Sequence, residues 1–504
     1  MNAKGFLFSF VSTLAPAVLS VLLMPVYLSV LGKEGLGLMA TLTLTLMIFG
    51  IFSTGAARLL QREIVAAAGR HAIELHRVVW RGWRVYGGLA VGGMLFLGPV
   101  AILAGNAVQD SAVTLPADQI RHCYIMMLIM AGITFLYGYS GVILVALGQL
   151  VQASLVNISI SISTAALSLL LLRWWPRVDI LYGCQLGVLA AGSAAAWLLA
   201  CRAVRQASHA LNGSGSSGPP LPIMPLRQFL RESSSLVATE GMNVLISQMD
   251  RFLVSLLLPL SSMGSYALGA TMGRVVSMAS GPLNLSVTPS IFRLESGKYP
   301  PHERGEYLWR LSFVTFVILC AVCLPLWSAS AAILHLWVRS PEMDLSDSVW
   351  VLRWLVLGNA LLALGAVFYN YMVACSHLRP GLVLNLMALV MLPLPGVWAV
   401  RQWGPSGASL CWSAYAFAYL MVCLAGARRC GLPLSGSGPW LRRIFLVMAV
   451  AGLAGIAVQF MHGSDAVKVA ASMLASLAVI AVGLSCSFGF RPRAWKTALE
   501  IRTA

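Results

Sequence analysis

Fourteen runs of roughly 20 apolar residues follow one another along this chain, at approximately 6–31, 36–57, 85–105, 123–146, 150–172, 180–201, 233–258, 264–291, 311–338, 354–375, 381–400, 408–427, 444–461 and 468–488. A helix of about 20 apolar residues crosses a hydrocarbon core about 30 Å thick. Lipid offers backbone groups no partner, so each run must satisfy its own N–H and C=O groups as a helix. The alternating pattern of an outer-membrane barrel does not occur. Of the 504 residues, 59% are hydrophobic and 10% charged, against about 25% charged in soluble domains. The expectation is an all-α integral membrane protein with about fourteen transmembrane helices.

A formal charge of +17 would suggest a nucleic-acid partner in a soluble protein, so its distribution matters. With a cytoplasmic N-terminus, 24 of the 34 Lys and Arg fall on the cytoplasmic side, 8 on the opposite side, and Arg251 and Arg274 within spans. Basic loops stay inside, which places both termini in the cytoplasm and removes the need for nucleic acid. The first loop, RLLQREIVAAAGRHAIELHRVVWRGWR, is expected to lie along anionic membrane lipids. Ala15-Pro16-Ala17 resembles a cleavage site, but the apolar run continues past it and exceeds the usual signal-peptide core of about 7–15 residues, so an uncleaved first span is expected. The ten cysteines, including the Cys320/Cys323 pair, lie mostly within apolar runs and show no disulfide or zinc framework. No cofactor or metal is expected.

HALNGSGSSGPPLPIMP has the composition of a flexible linker and divides the chain. A faint internal echo supports two related parts: VLGKEGLGLMAT follows the first span and PLSSMGSYALGAT the seventh, aligning Gly35 with Gly264, and LLQRE at 59–63 matches IFRLE at 291–295. Six helices per part give both the same orientation, hence a parallel pseudo-repeat about the membrane normal. The expected layout is a six-helix lobe over 1–205, a cytoplasmic linker over 206–230, a second six-helix lobe over 231–428, a linker over 429–443, an appended helix pair over 444–488 and a cytoplasmic tail over 489–504. No non-cytoplasmic loop is long enough for a catalytic domain. Neither a Walker A nor an HExxH, DxD or Ser-His-Asp pattern stands out, so no enzyme is expected.

Charge inside the apolar runs is the main candidate for function. Glu240, Asp250, Arg251 and Arg274 all belong to the seventh and eighth spans. An ionised group at the bilayer centre costs at least about 2.5–3.5 kcal/mol, so these positions must face protein or water. On one continuous helix, Glu240 and Arg251 are about 1100° apart, a net rotation of about 20°. Ser233, Asn243 and Ser247 fall near the same line, giving a polar stripe suited to a cavity. Arg251 and Arg274 could converge on one anion, since the arginine fork fits phosphate oxygens. Alternatively, Asp250 pairs with Arg251 or Arg274 and only neutralises it. Glu240, or else Asp250, could bind and release a coupling proton or sodium ion, whereas a neutral, hydrogen-bonded Glu240 is the structural alternative. Arg58 and Arg62, closing the second span, could meet an anionic headgroup at a cavity mouth or serve as ordinary interfacial anchors. The serine-rich NISISISTAALS face of the fifth span is expected to pack against a neighbouring helix.

FLFSFVSTLAPAVLSVLLMPVYLSVLGKEGLGL at the N-terminus, GAARLLQRE closing the second span and QMDRFLVSLLLPLSSMGSYALGATM opening the second part resemble the Wzx-type polysaccharide flippases of the multidrug/oligosaccharidyl-lipid/polysaccharide exporter superfamily. That resemblance implies two lobes around a cationic cavity, working by alternating access. It implies movement of an undecaprenyl-diphosphate-linked oligosaccharide from the cytoplasmic to the periplasmic leaflet of a bacterial inner membrane, for surface polysaccharide assembly. A polysaccharide polymerase and a chain-length regulator are the partners it implies. Relatives that flip the peptidoglycan lipid carry an arginine-rich first span; here no charge follows Lys4 in that span. The alternatives are a cation-coupled multidrug or metabolite exporter, commonly an antiporter, of the same superfamily, and a non-transporting scaffold of a polysaccharide assembly complex.

Overall fold

The computed structural model of the protein describes residues 3–68, 72–110, 115–213, 228, 241–242, 244–296, 300–339, 344–375, 379–432 and 437–488. Every regular element among them is helical: α1 (Ala3–Ala68), α2 (Ala72–Asp110), α3 (Ala117–Ala146), α4 (Leu150–Trp174), α5 (Val178–Gly213), α6 (Met249–Leu257), α7 (Leu260–Ser296), α8 (Pro301–Ser328), α9 (Ser330–Val338), α10 (Ser346–Ala374), α11 (Arg379–Met391), α12 (Pro393–Trp403), α13 (Pro405–Arg429), α14 (Ser437–Phe460) and α15 (Asp465–Phe488). The protein is an all-helical, multi-pass membrane protein. Nine described helices are long and apolar enough to cross a bilayer, or ten when α11 and α12, bent by 46°, form one span.

This is fewer than the expected fourteen, and the chain shows where the difference arises. The first two predicted spans are arms of α1, which departs from helical geometry only at Gly32, at φ 71°; glycine takes that conformation without a Cβ penalty. The ninth span divides at Ala329 into α8, which still qualifies, and the short α9, while the eleventh divides at Leu392. The seventh begins outside the described residues. The predicted first loop is largely helix: α1 continues to Ala68 and α2 starts at Ala72, because nothing before residue 69 in that polar stretch breaks a helix. Much of the 206–230 linker and the tail from 489 also lie outside the described residues, although α5 carries its helix to Gly213.

Two compact units are present. The first takes in the described residues of Met1–Gln248 with Pro259–Gly264. Here α3 packs against α1, α2 and α5, while α4 lies on α1 and α5. One core gathers Phe49, Leu60, Tyr86, Phe135 and Tyr139, with Tyr86 and Tyr139 stacked at 4.9 Å. The buried Tyr139 hydroxyl donates to the Val79 carbonyl at 2.8 Å. Glu63 near the end of α1 pairs with Arg81 of α2, tying together the polar ends of two helices. Within this unit the two echoing stretches meet: a Cβ on Gly37 would overlap the Leu260 carbonyl, and one on Gly264 the Lys33 carbonyl. The missing side chains permit this close approach.

The second unit takes in the described residues of Met249–Leu258 and Ser265–Ala504. Its most extensively packed helix pair is α10 with α13, and α8 packs against α10, α14 and α15. Trp309, Phe313, Phe368, Tyr371 and Trp440 form its aromatic core. Exposed Phe445, Leu453 and Phe460 on α14 are what a lipid-facing helix presents.

Candidate functional site

The charged centre of the second unit is assembled where two helices begin and turn. The backbone turns at Gln248, whose N–H donates to the Val244 and Leu245 carbonyls at 3.1 and 3.3 Å, and α6 starts immediately after it. Asp250 sits in the first turn of α6, where a negative charge meets the positive end of the helix dipole. Its Oδ1 accepts the Arg251 backbone N–H at 2.9 Å. Pro259, lacking a backbone donor, follows α6, and α7 begins at Leu260. Tyr266, as far after Leu258 as Asp250 lies before it, donates its hydroxyl to Asp250 Oδ2. Arg251 lies within electrostatic reach of the same hydroxyl.

Asp250 is 7% exposed, and both its oxygens are thus engaged. Arg251 is half-buried. Arg274, also half-buried, stands within electrostatic reach of Arg251, Tyr266 and Asp250, yet makes no hydrogen bond or ion pair among the described residues. Two guanidiniums and one carboxylate thus gather in an otherwise apolar segment. Beside Arg274, the Asn359 side chain of α10 donates to the Gly273 carbonyl at 3.1 Å and accepts from Trp412 Nε1 at 3.4 Å. This clamp fixes α7 next to the arginine.

Of the remaining candidates, Ser233, Glu240 and Asn243 lie outside the described residues. Ser247 donates to the Val244 carbonyl at 2.8 Å and accepts from Gln248 Nε2 at 3.4 Å. A single non-helical residue, Gln248, stands between Ser247 and α6. Arg62 is exposed on α1. Arg58 also belongs to α1, its side chain lying beyond the description. Tyr266, Asn359 and Trp412 are the site residues that sequence alone did not single out. Asn359 had a visible signal, being an amide within an apolar run; Tyr266 had only its symmetric spacing about Leu258. No cluster of three or more His, Cys, Asp or Glu suited to a metal occurs among the described residues.

Residues 2–295 match a family described as polysaccharide biosynthesis protein. Among solved structures the chain is similar to the lipid II flippase MurJ in an inward closed conformation, at 13% identity over 95% of this chain and 98% of that one, with a TM-score of 0.65. It is also similar to an inward-facing multidrug resistance MATE family transporter of the MOP superfamily, at 16% identity over 84% and 98% of the two chains, with a TM-score of 0.60. A variant of the Vibrio cholerae MATE transporter VcmN shares 13% identity over 87% and 97%, with a TM-score of 0.54. At such identities the likeness establishes the fold. Comparison with curated proteins gives no match.

Proposed function

The chain belongs to the polysaccharide biosynthesis protein family, and we propose that it flips an undecaprenyl-diphosphate-linked oligosaccharide across a bacterial inner membrane by alternating access. The observation that carries this is Arg274, which makes no hydrogen bond or ion pair among the described residues and stands within electrostatic reach of Asp250 and Arg251. A diphosphate brings about two negative charges whose desolvation is costly, and arginine forks supply fixed donors matched to phosphate oxygens. With the Asp250 oxygens held by Tyr266 and the Arg251 N–H, the anion becomes the partner for Arg274.

The likeness to a lipid II flippase supports the lipid-linked class of substrate, since it takes in 95% of this chain against 84% for the multidrug transporter. An apolar groove of about 450 Å³, formed where α15 meets α8 and α9, supports the same class because it suits a hydrocarbon chain. Both termini face the cytoplasm in this proposal, Arg58 and Arg62 receive the headgroup at the entrance, and Ser233, Asn243 and Ser247 contribute polar groups along the path. A polysaccharide polymerase and a chain-length regulator act on the product.

Arg251→Ala and Arg274→Ala test the proposal, with a leaflet-resolved assay of the lipid-linked precursor beside a membrane-protein blot. Precursor accumulating on the cytoplasmic leaflet at normal protein levels is expected. Normal flipping by both variants would move the anion site elsewhere. Glu240 is proposed as the group that exchanges a proton or sodium ion: Glu240→Gln is expected to remove the ion dependence of transport, measured in proteoliposomes with imposed gradients. Unchanged rate and ion dependence would take Glu240 out of that role.

A further inference from the structure

The first unit carries a second basic feature, separate from the Asp250 centre. A groove of about 620 Å³ lies between α2 and α5. On α2, His76, Trp80 and Trp83 share one face at helical spacing. On α5, Trp197, Arg205 and His209 do the same. All six line the groove, with no carboxylate in its lining.

The lining takes residues 76–83 from the beginning of α2 and 197–209 from the later part of α5. His76, Arg205 and His209 all lie outside the apolar runs at 85–105 and 180–201. Trp83 stands just before the first of those runs and Trp197 within the second. On α5 the distance from Trp197 to His209 is about 18 Å at 1.5 Å per residue, enough to accommodate a headgroup and the first part of an acyl chain. The floor is fixed: Trp83 meets Tyr139 edge-on at 5.0 Å, and Tyr139 is held by its hydrogen bond to Val79. Trp80 and Trp197 remain 59% and 47% exposed, as expected of tryptophans at a membrane–water boundary.

We propose that this groove is a binding site for an anionic phospholipid, with the phosphate at His76, Arg205 and His209 and an acyl chain along Trp80, Trp83 and Trp197. Basic pockets between membrane helices at the headgroup level recognise such lipids through charge and shape together, and both halves of that requirement are present. The site is independent of the transported substrate, and a failure here leaves the Arg251 and Arg274 proposal standing.

Native mass spectrometry of the full chain, purified, delipidated and titrated with dioleoyl-phosphatidylglycerol, tests it. One adduct saturating before the others is expected, with phosphatidylcholine of the same chains giving none. Arg205→Gln is expected to weaken that adduct about fivefold, the effect of one basic residue near anionic lipid. Arg428→Gln, at an exposed arginine ending α13, is the control and leaves it unchanged. Trp80→Ala weakens it as well, and because Trp80 is exposed this variant stands in for Arg205→Gln if the latter fails to fold. Equal binding of phosphatidylcholine, equal effects of the Arg205 and Arg428 variants, or an unchanged adduct in Trp80→Ala would overturn the proposal. Displacement of the adduct by glycerol phosphate alone, at the same concentration, would reduce the groove to a simple anion site and overturn its lipid part.

Discussion

The Glu63–Arg81 pair of the first unit and the Asp250 centre of the second treat charge in opposite ways. In the first, Glu63 and Arg81 cancel each other across α1 and α2, and the crossing at Gly37 and Gly264 brings backbone directly onto backbone. In the second, two guanidiniums stand near one carboxylate, and Tyr266, Asn359 and Trp412 hold the surrounding helices through side-chain hydrogen bonds. An acid–base pair that closes on itself contributes to the fold. A guanidinium left over after the carboxylate is engaged has capacity for a ligand, because a buried charge is stable only when something compensates it.

The sharpest way to break this contrast is to remove one guanidinium from each unit. Arg274→Ala is expected to lower transport at least tenfold or so at normal protein levels, the consequence of losing a charge-assisted hydrogen bond worth about 1.5–3 kcal/mol. Lysine should restore only part, since it lacks the planar fork. Arg81→Ala should change transport only in proportion to the amount of folded protein. Equal losses of specific transport in both variants would erase the distinction.

Next in size is the backbone crossing. Gly264→Val forces a branched side chain against the Lys33 carbonyl, and overpacking of this kind costs about 1–3 kcal/mol. A lower unfolding temperature in detergent and less folded protein in membranes are expected; an unchanged melting profile would mean that the crossing yields easily. Tyr266→Phe probes the other unit. It leaves one Asp250 oxygen without its hydroxyl donor, at about 1–3 kcal/mol, and a double-mutant cycle with Asp250→Asn should show coupling above about 0.5 kcal/mol. Additive effects would mean that the hydroxyl and carboxylate act separately. The smallest effect belongs to Glu63→Gln, about 1 kcal/mol of stability for a pair at the polar end of two helices. The exchanged pair Glu63→Arg with Arg81→Glu should recover it in the same melting measurement, and failure to recover would point to neighbours other than the pair.

Much of this was legible along the chain. Apolar runs gave the helices, because a helix in lipid is a local object that satisfies its own backbone. The intramembrane charges pointed to the Asp250 region for the same reason: their cost in lipid can be judged one residue at a time. The polar stripe was less secure, since it required an unbroken helix across Gln248, and whether the backbone turns there depends on hydrogen bonds to Val244 and Leu245 rather than on hydropathy.

What the sequence determined by itself is therefore the class of molecule, an all-helical membrane protein with its deepest charges confined to one short stretch. The tertiary structure decided which of those charges is compensated. Tyr266 meets Asp250 from the next helix, and Asn359, which accepts from Trp412, reaches the Gly273 carbonyl from another. Such pairings depend on helix-to-helix packing, which places side chains by distance in space, while hydropathy records only their neighbours along the chain.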